Sequence, residues 1–122
     1  MTSTRYPGLT LRILSGTRPA MGPGKAELLE HIATTGSISA AARAMGMSYR
    51  RAWQLVEAMN RDFSAPLVTT ATGGRRGGGA AVTELGQQAL AQFRRMELKA
   101  SRAIARDTVA FETLFKPARR RR

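Results

Sequence analysis

The chain has no cysteine, one histidine and only eight acidic residues in 122. Without cysteine there are no disulfides, thiolate zinc sites or iron-sulfur clusters, a composition compatible with a reducing cytoplasm. The lone His31, beside Glu30, makes a poor metal site and reads as a surface or satisfied structural side chain. The carboxylates are scattered, and Ser37, Ser39 and Ser48 are better placed as helix caps than as nucleophiles. The expectation is therefore a protein that is not an enzyme and has no cofactor. No apolar stretch is long enough to span a bilayer, and the N-terminus has no apolar signal core before a processing site. The expected location is the cytoplasm, with no membrane partner.

What is abundant is positive charge. Twenty Lys and Arg against eight Asp and Glu leave a formal net charge of +12. That balance predicts attraction to a polyanion and an affinity that weakens with salt. With 43% apolar residues, 122 residues allow one domain, 1–122, with a modest core.

The chain is organised around residues 37–61, SISAAARAMGMSYRRAWQLVEAMNR. Ser37 or Ser39 can cap a short alanine-rich helix, Gly46 turns the corner, and Ser48 caps a second helix. A helix of about two turns cannot stand alone and must pack on its successor and on a third helix. Met45, Met47, Ala52, Leu55, Val56 and Met59 recur at helical spacing and point inward, which leaves Arg50, Arg51, Gln54 and Arg61 on the opposite side. A polar, basic face held across a short helix is what a DNA major groove accepts. Tyr49 follows the cap, and its hydroxyl either bonds a phosphate or packs at the surface. Trp53 is expected to pack against the wing base or the first helix.

The flanks supply the rest. Leu9, Leu11 and Ile13 alternate with polar residues, so 9–14 reads as a strand. Residues 16–24, with two prolines and three glycines, read as a connection. From Lys25, the residues Leu28, Leu29, Ile32 and Ala33 form a helical stripe that Gly36 ends. After Arg61, 66–70 and 80–83 read as the strands of a hairpin whose tip carries Arg75 and Arg76 between glycines, suited to close approach to a phosphate backbone or a minor groove. The G-x-x-x-x-G-K-[ST] order of a nucleotide-binding loop is absent. Thr83 is the candidate cap of a last helix, 84–115, whose interrupted stripe includes Phe93, Met96, Ile104 and Phe111. That stripe exceeds what so small a domain can cover, which predicts a dimer; the alternative is a helix broken near Asp107 and Thr108 and folded back on its own domain. Lys116 and the arginines from Arg119 to Arg122, Arg119 and Arg120 among them, form a basic end after Pro117.

Three segments, HIATTGSISAAARAMGMSYRRAWQLVEAMN, LVTTATGGRRGGGAAVTELG and the alternating strand at 9–14, resemble the N-terminal DNA-binding domain of molybdate-responsive transcriptional regulators. GSISAAA alone also looks like the broader LysR-type regulators. The resemblance implies a winged helix-turn-helix, mainly α with a small antiparallel sheet. It places the recognition helix at 49–60, the wing at 66–83, and a dimer built by the long last helix with Leu9, Leu11 and Ile13 of the first strand. Full-length members carry small barrel-like molybdate-binding domains after that helix. The residues here stop at Arg122, so the expectation is DNA binding without molybdate sensing, with the effector unassigned.

The expected function is a sequence-specific regulator of double-stranded DNA, acting as a homodimer on a palindromic operator. Ser48, Tyr49, Arg50, Arg51, Gln54 and Arg61 would face DNA from the recognition helix, Arg75 and Arg76 from the wing, and Arg119 and Arg120 from the basic end. Two competing readings share the composition: an architectural, weakly specific DNA binder, and a protein-interaction module using the long helix.

Overall fold

A computed structural model describes residue 6, residues 8–71 and residues 79–117 of the chain. Gly16, at φ +64, turns β1 (Ile13–Ser15) into β2 (Arg18–Met21), and the two strands pair antiparallel with Ser15 opposite Arg18 and Ile13 opposite Met21. This corrects two expectations. The first strand starts at Ile13 instead of residue 9, and the Pro- and Gly-rich connection contains its partner. Pro19 is tolerated there because each strand of a two-stranded ribbon has an edge that needs no donor. Leu11 and Ile13 still turn inward and pack on the main core.

Pro23 opens α1 (Pro23–Thr35) two residues before the expected start, since its fixed φ suits the first helical position. Gly36, at φ +71, closes it with its N–H on the Ile32 carbonyl. Ser37 Oγ accepts from the Ala40 N–H to cap α2 (Ile38–Ala44), and Ser48 Oγ accepts from the Arg51 N–H to cap α3 (Tyr49–Asp62). Between them Gly46, at φ +67, makes the corner. Ala41, Ala42 and Ala52 are buried at the crossing, where their small side chains let α2 and α3 approach α1 through Leu28, Leu29, Ile32, Val56 and Met59.

The second hairpin joins β3 (Val68–Ala71) to β4 (Gly79–Val82), with Val68 opposite Val82 and Ala71 opposite Gly79. The described residues thus contain two small antiparallel hairpins beside the helices, in the mainly α class with small antiparallel sheet that was expected. Thr83 caps α4 (Glu84–Ala103) by accepting from the Gly86 N–H, and its hydroxyl also donates to the Pro66 carbonyl at 2.8 Å. Gly86 is required at this junction, because a Cβ there would lie 2.4 Å from the Leu67 carbonyl oxygen.

The last helix is not continuous. It breaks at Ile104, earlier than the Asp107 to Thr108 alternative, and α5 (Ala105–Glu112) follows. Core contact explains where support ends: Phe93 and Glu97 are buried, and α5 has no buried residue. Phe93, only 1% exposed, belongs to the core of its own chain. Its expected place in a dimer contact is therefore corrected, because its apolar surface is already covered by this domain. The described residues thus form a winged helix-turn-helix whose second helix, α3, keeps one face exposed.

Candidate nucleic-acid interface

The periodicity of α3 separates a buried face from an exposed one. Ala52, Val56 and Met59 are buried, whereas Arg50, Arg51, Gln54 and Arg61 are all exposed. Successive residues turn by about 100°, so 50, 54 and 61 stack along one line opposite the core and Arg51 stands beside it. Tyr49 is 53% exposed and accepts a hydrogen bond at its hydroxyl from Trp53 Nε1, with the two rings edge to face at 6.3 Å. Trp53 is half-buried and packs against the core. Ser48 is exposed, but its oxygen is engaged in the cap.

On one flank, Asn60 fastens the helix to the wing. Its Oδ1 accepts from the N–H groups of Leu67 at 2.8 Å and Val68 at 3.1 Å, and its Nδ2 donates to the Val68 carbonyl at 3.0 Å. The wing is held a second time where the Ala80 N–H donates to the Gly36 carbonyl. Asn60 therefore sets the angle between helix and wing. Sequence reasoning placed it on the recognition helix without this role, and its only local signal was an amide on the last turn next to a buried methionine.

On the other flank lies a cleft of about 640 Å³ between the first hairpin and α3. Arg18 Nη2 reaches Asp62 Oδ1 at 2.7 Å, and Lys25 Nζ donates to the Pro19 carbonyl at 2.6 Å. Partial burial lowers the Lys25 pKa; Asp62 opposes that, while Arg51, Arg61 and Arg18 add to it.

Arg75, Arg76, Arg119 and Arg120 lie outside the described residues. Of the residues assigned to a dimer contact, Leu9, Leu11, Ile13 and Ile104 are half-buried and Phe93 is buried, whereas Met96 and Phe111 are exposed. Among the described residues no cluster of His, Cys, Asp or Glu could hold a metal, and no helix is long and apolar enough to cross a membrane.

The family profile described as "Bacterial regulatory helix-turn-helix protein, lysR family" matches residues 24–87, the span from α1 through the wing to the first turn of α4. The chain belongs to this family. It is also similar in sequence to the Mop and ModE proteins. It is 47% identical over 85 residues to the molybdenum-pterin-binding protein MopB of Rhodobacter capsulatus, covering 70% of this chain and 32% of MopB. It is 47% identical over 66 residues to the DNA-binding transcriptional dual regulator ModE of Escherichia coli, covering 54% of this chain and 25% of ModE. The chain thus spans about a third or less of the length of these curated relatives. A crystal structure of the CbnR DBD–DNA complex shares the fold with a TM-score of 0.55 at 23% identity, over 71% of this chain and 94% of that one. In this LysR-family domain, the matched span includes every residue of α3 and Asn60's contacts to the wing, but leaves β1, β2 and most of α4 outside.

Proposed function

We propose that this LysR-family chain is a sequence-specific, double-stranded DNA-binding transcriptional regulator that acts in the cytoplasm as a dimer on a palindromic operator. The observation that carries the reading is α3, which turns Arg50, Arg51, Gln54 and Arg61 away from the core while Asn60 holds the wing beside it. Arginine reads guanine and glutamine reads adenine through paired hydrogen bonds in the major groove. Arg75, Arg76, Arg119 and Arg120, by charge, serve as phosphate contacts that carry no sequence information. Residues 1–122 work as one DNA-binding unit, 84–115 providing the arm toward a second copy. No step of this function is catalytic.

Replacing Arg50 or Arg51 with alanine is expected to lower discrimination by about 1–3 kcal/mol where a paired base contact is lost. Fluorescence anisotropy with a duplex selected from a random pool and its scrambled counterpart measures this. Equal losses on both duplexes would reassign these arginines to the backbone. Equal wild-type affinity for both would favour an architectural binder, since an operator is preferred by about 10³-fold or more.

The dimer reading is supported by the apolar surface left on the arm. Met96, Val109, Phe111, Leu114 and Phe115 are exposed, and Phe111 and Phe115 meet edge to face at 5.5 Å. Two recognition helices related by a two-fold axis would sit about 34–36 Å apart on the duplex. Sedimentation equilibrium at about 50 μM should find a dimer, and Phe111→Asp should shift it toward monomer with the helical signal intact. Phe111 suits this test because it is 60% exposed, unlike the buried Phe93. A monomeric wild type would remove the arm from the mechanism.

A further inference from the structure

The cleft on the hairpin side of α3 gathers five cationic side chains, Arg12, Arg18, Lys25, Arg51 and Arg61, against one carboxylate, Asp62. Asp62 is already engaged: its side chain is 4% exposed and bonded to Arg18. The cations come from the residue before β1, from β2, from α1 and from α3, so their convergence is a product of the fold. Gly22 contributes by its size, because a Cβ there would stand 3.2 Å from Arg12 Cγ and press on the stem that lies over it. Like charges gathered around one cleft raise the energy of the free protein, and an anion relieves the repulsion.

Arg51, Gln54 and Arg61 line this cleft and also belong to the outward surface of α3. An anion bound there is thus continuous with whatever the helix reads. A helix in a major groove about 12 Å wide has sugar-phosphate strands on both sides. The wing, tied through Asn60, attends one flank; the first hairpin attends the other.

We propose that this cleft is a second phosphate-binding site, in which Arg12, Arg18 and Lys25 hold the sugar-phosphate backbone of the duplex whose major groove α3 enters. The proposal rests on the DNA-binding reading above and adds to it a clamp on the flank opposite the wing. It gives the first hairpin a binding role separate from dimerisation.

The test is the double substitution Arg12→Gln and Lys25→Gln, which removes two charges while glutamine at 25 retains a donor for the Pro19 carbonyl. Binding is measured by anisotropy across a salt series with the selected and scrambled duplexes, with thermal melting by circular dichroism as the check on folding. The expected result is weaker binding to both duplexes, an unchanged ratio between them, and a slope of log K against log salt shallower by up to about two, at roughly 0.9 per phosphate contact. If the double variant melts early, Arg12→Gln alone decides, with a slope change of about one. An unchanged slope overturns the proposal. So does a variant that keeps its DNA affinity but loses calorimetric binding of inorganic pyrophosphate, which would make the cleft a small-anion site. A wild type that binds no duplex at all would instead defeat the DNA-binding reading, and the clamp with it.

Discussion

Arg94→Ala is expected to destabilise the domain by about 3–5 kcal/mol, the cost of stripping one partner from a buried charged network. Arg94 on α4 donates from Nε and Nη2 to the two carboxylate oxygens of Glu30 on α1, at 3.0 and 2.8 Å, and from Nη1 to Glu97 at 2.8 Å. Burial works against the charge on the guanidinium, but the hydrogen bonds and charges of Glu30 and Glu97 outweigh it and raise its pKa. The exposed partner matters less. Glu30 keeps about a third of its side chain in water, whereas Glu97 is only 2% exposed and would be left as a buried carboxylate without its cation. A total stability of about 5–15 kcal/mol makes this a large fraction of the fold. Urea unfolding at neutral pH measures it. Arg94→Lys should fall between, since an ammonium cannot form the fork. Replacing both Arg94 with Met and Glu97 with Leu should recover much of the loss, because no buried charge then remains at that position. A loss under about 1 kcal/mol for Arg94→Ala would show the network to be no stronger than an ordinary surface ion pair.

Asn60→Ala is the second large effect, expected at about 2–4 kcal/mol, from roughly 1–3 for each orphaned buried polar group with part regained through water. The amide satisfies two N–H groups and one carbonyl at the start of β3, where Leu67 and Val68 are themselves buried. The consequence reaches the proposed function, because the same side chain fixes the wing against α3. Hydrogen exchange should accelerate at the Leu67 and Val68 amides well beyond the change at α1. DNA affinity should drop even at temperatures where the variant is folded. Asn60→Asp keeps the acceptor but loses the donor to the Val68 carbonyl, and should be intermediate. Unchanged protection at β3 would mean that the Thr83 and Gly36 contacts hold the wing without Asn60.

The sequence was most legible where structure is set by neighbours along the chain. Ser48 and Thr83 stand as the expected caps, Ser37 resolves a choice left open with Ser39, and Gly36 and Gly46 take the left-handed conformation that ends one helix and turns the next. These features depend on a residue and the turn beside it, so local chemistry is enough. The outward set on α3 follows for the same reason, since a 3.6-residue period places Arg50, Gln54 and Arg61 together once Ala52, Val56 and Met59 face inward. The return strand of the first hairpin was not legible. Its proline and the glycines around it favour a connection, and only pairing with β1 makes Arg18–Met21 a strand.

Read alone, the amino-acid order determined the charge, the helix-turn-helix, its caps and its outward basic face. Tertiary structure decided which partner each remaining face meets. A periodic stripe defines the apolar side of a helix but not what covers it, so Phe93 read as surface for a second copy until α4 folded onto α1 and enclosed it. Charges behave alike: Glu30 with Arg94, and Arg18 with Asp62, are 64 and 44 residues apart, and no local pattern couples them. The cleft of five cations exists because a hairpin, the start of α1 and one side of α3 converge. Such long-range meetings are set by the packing of whole elements, which is a property of the folded chain and not of any window of its sequence.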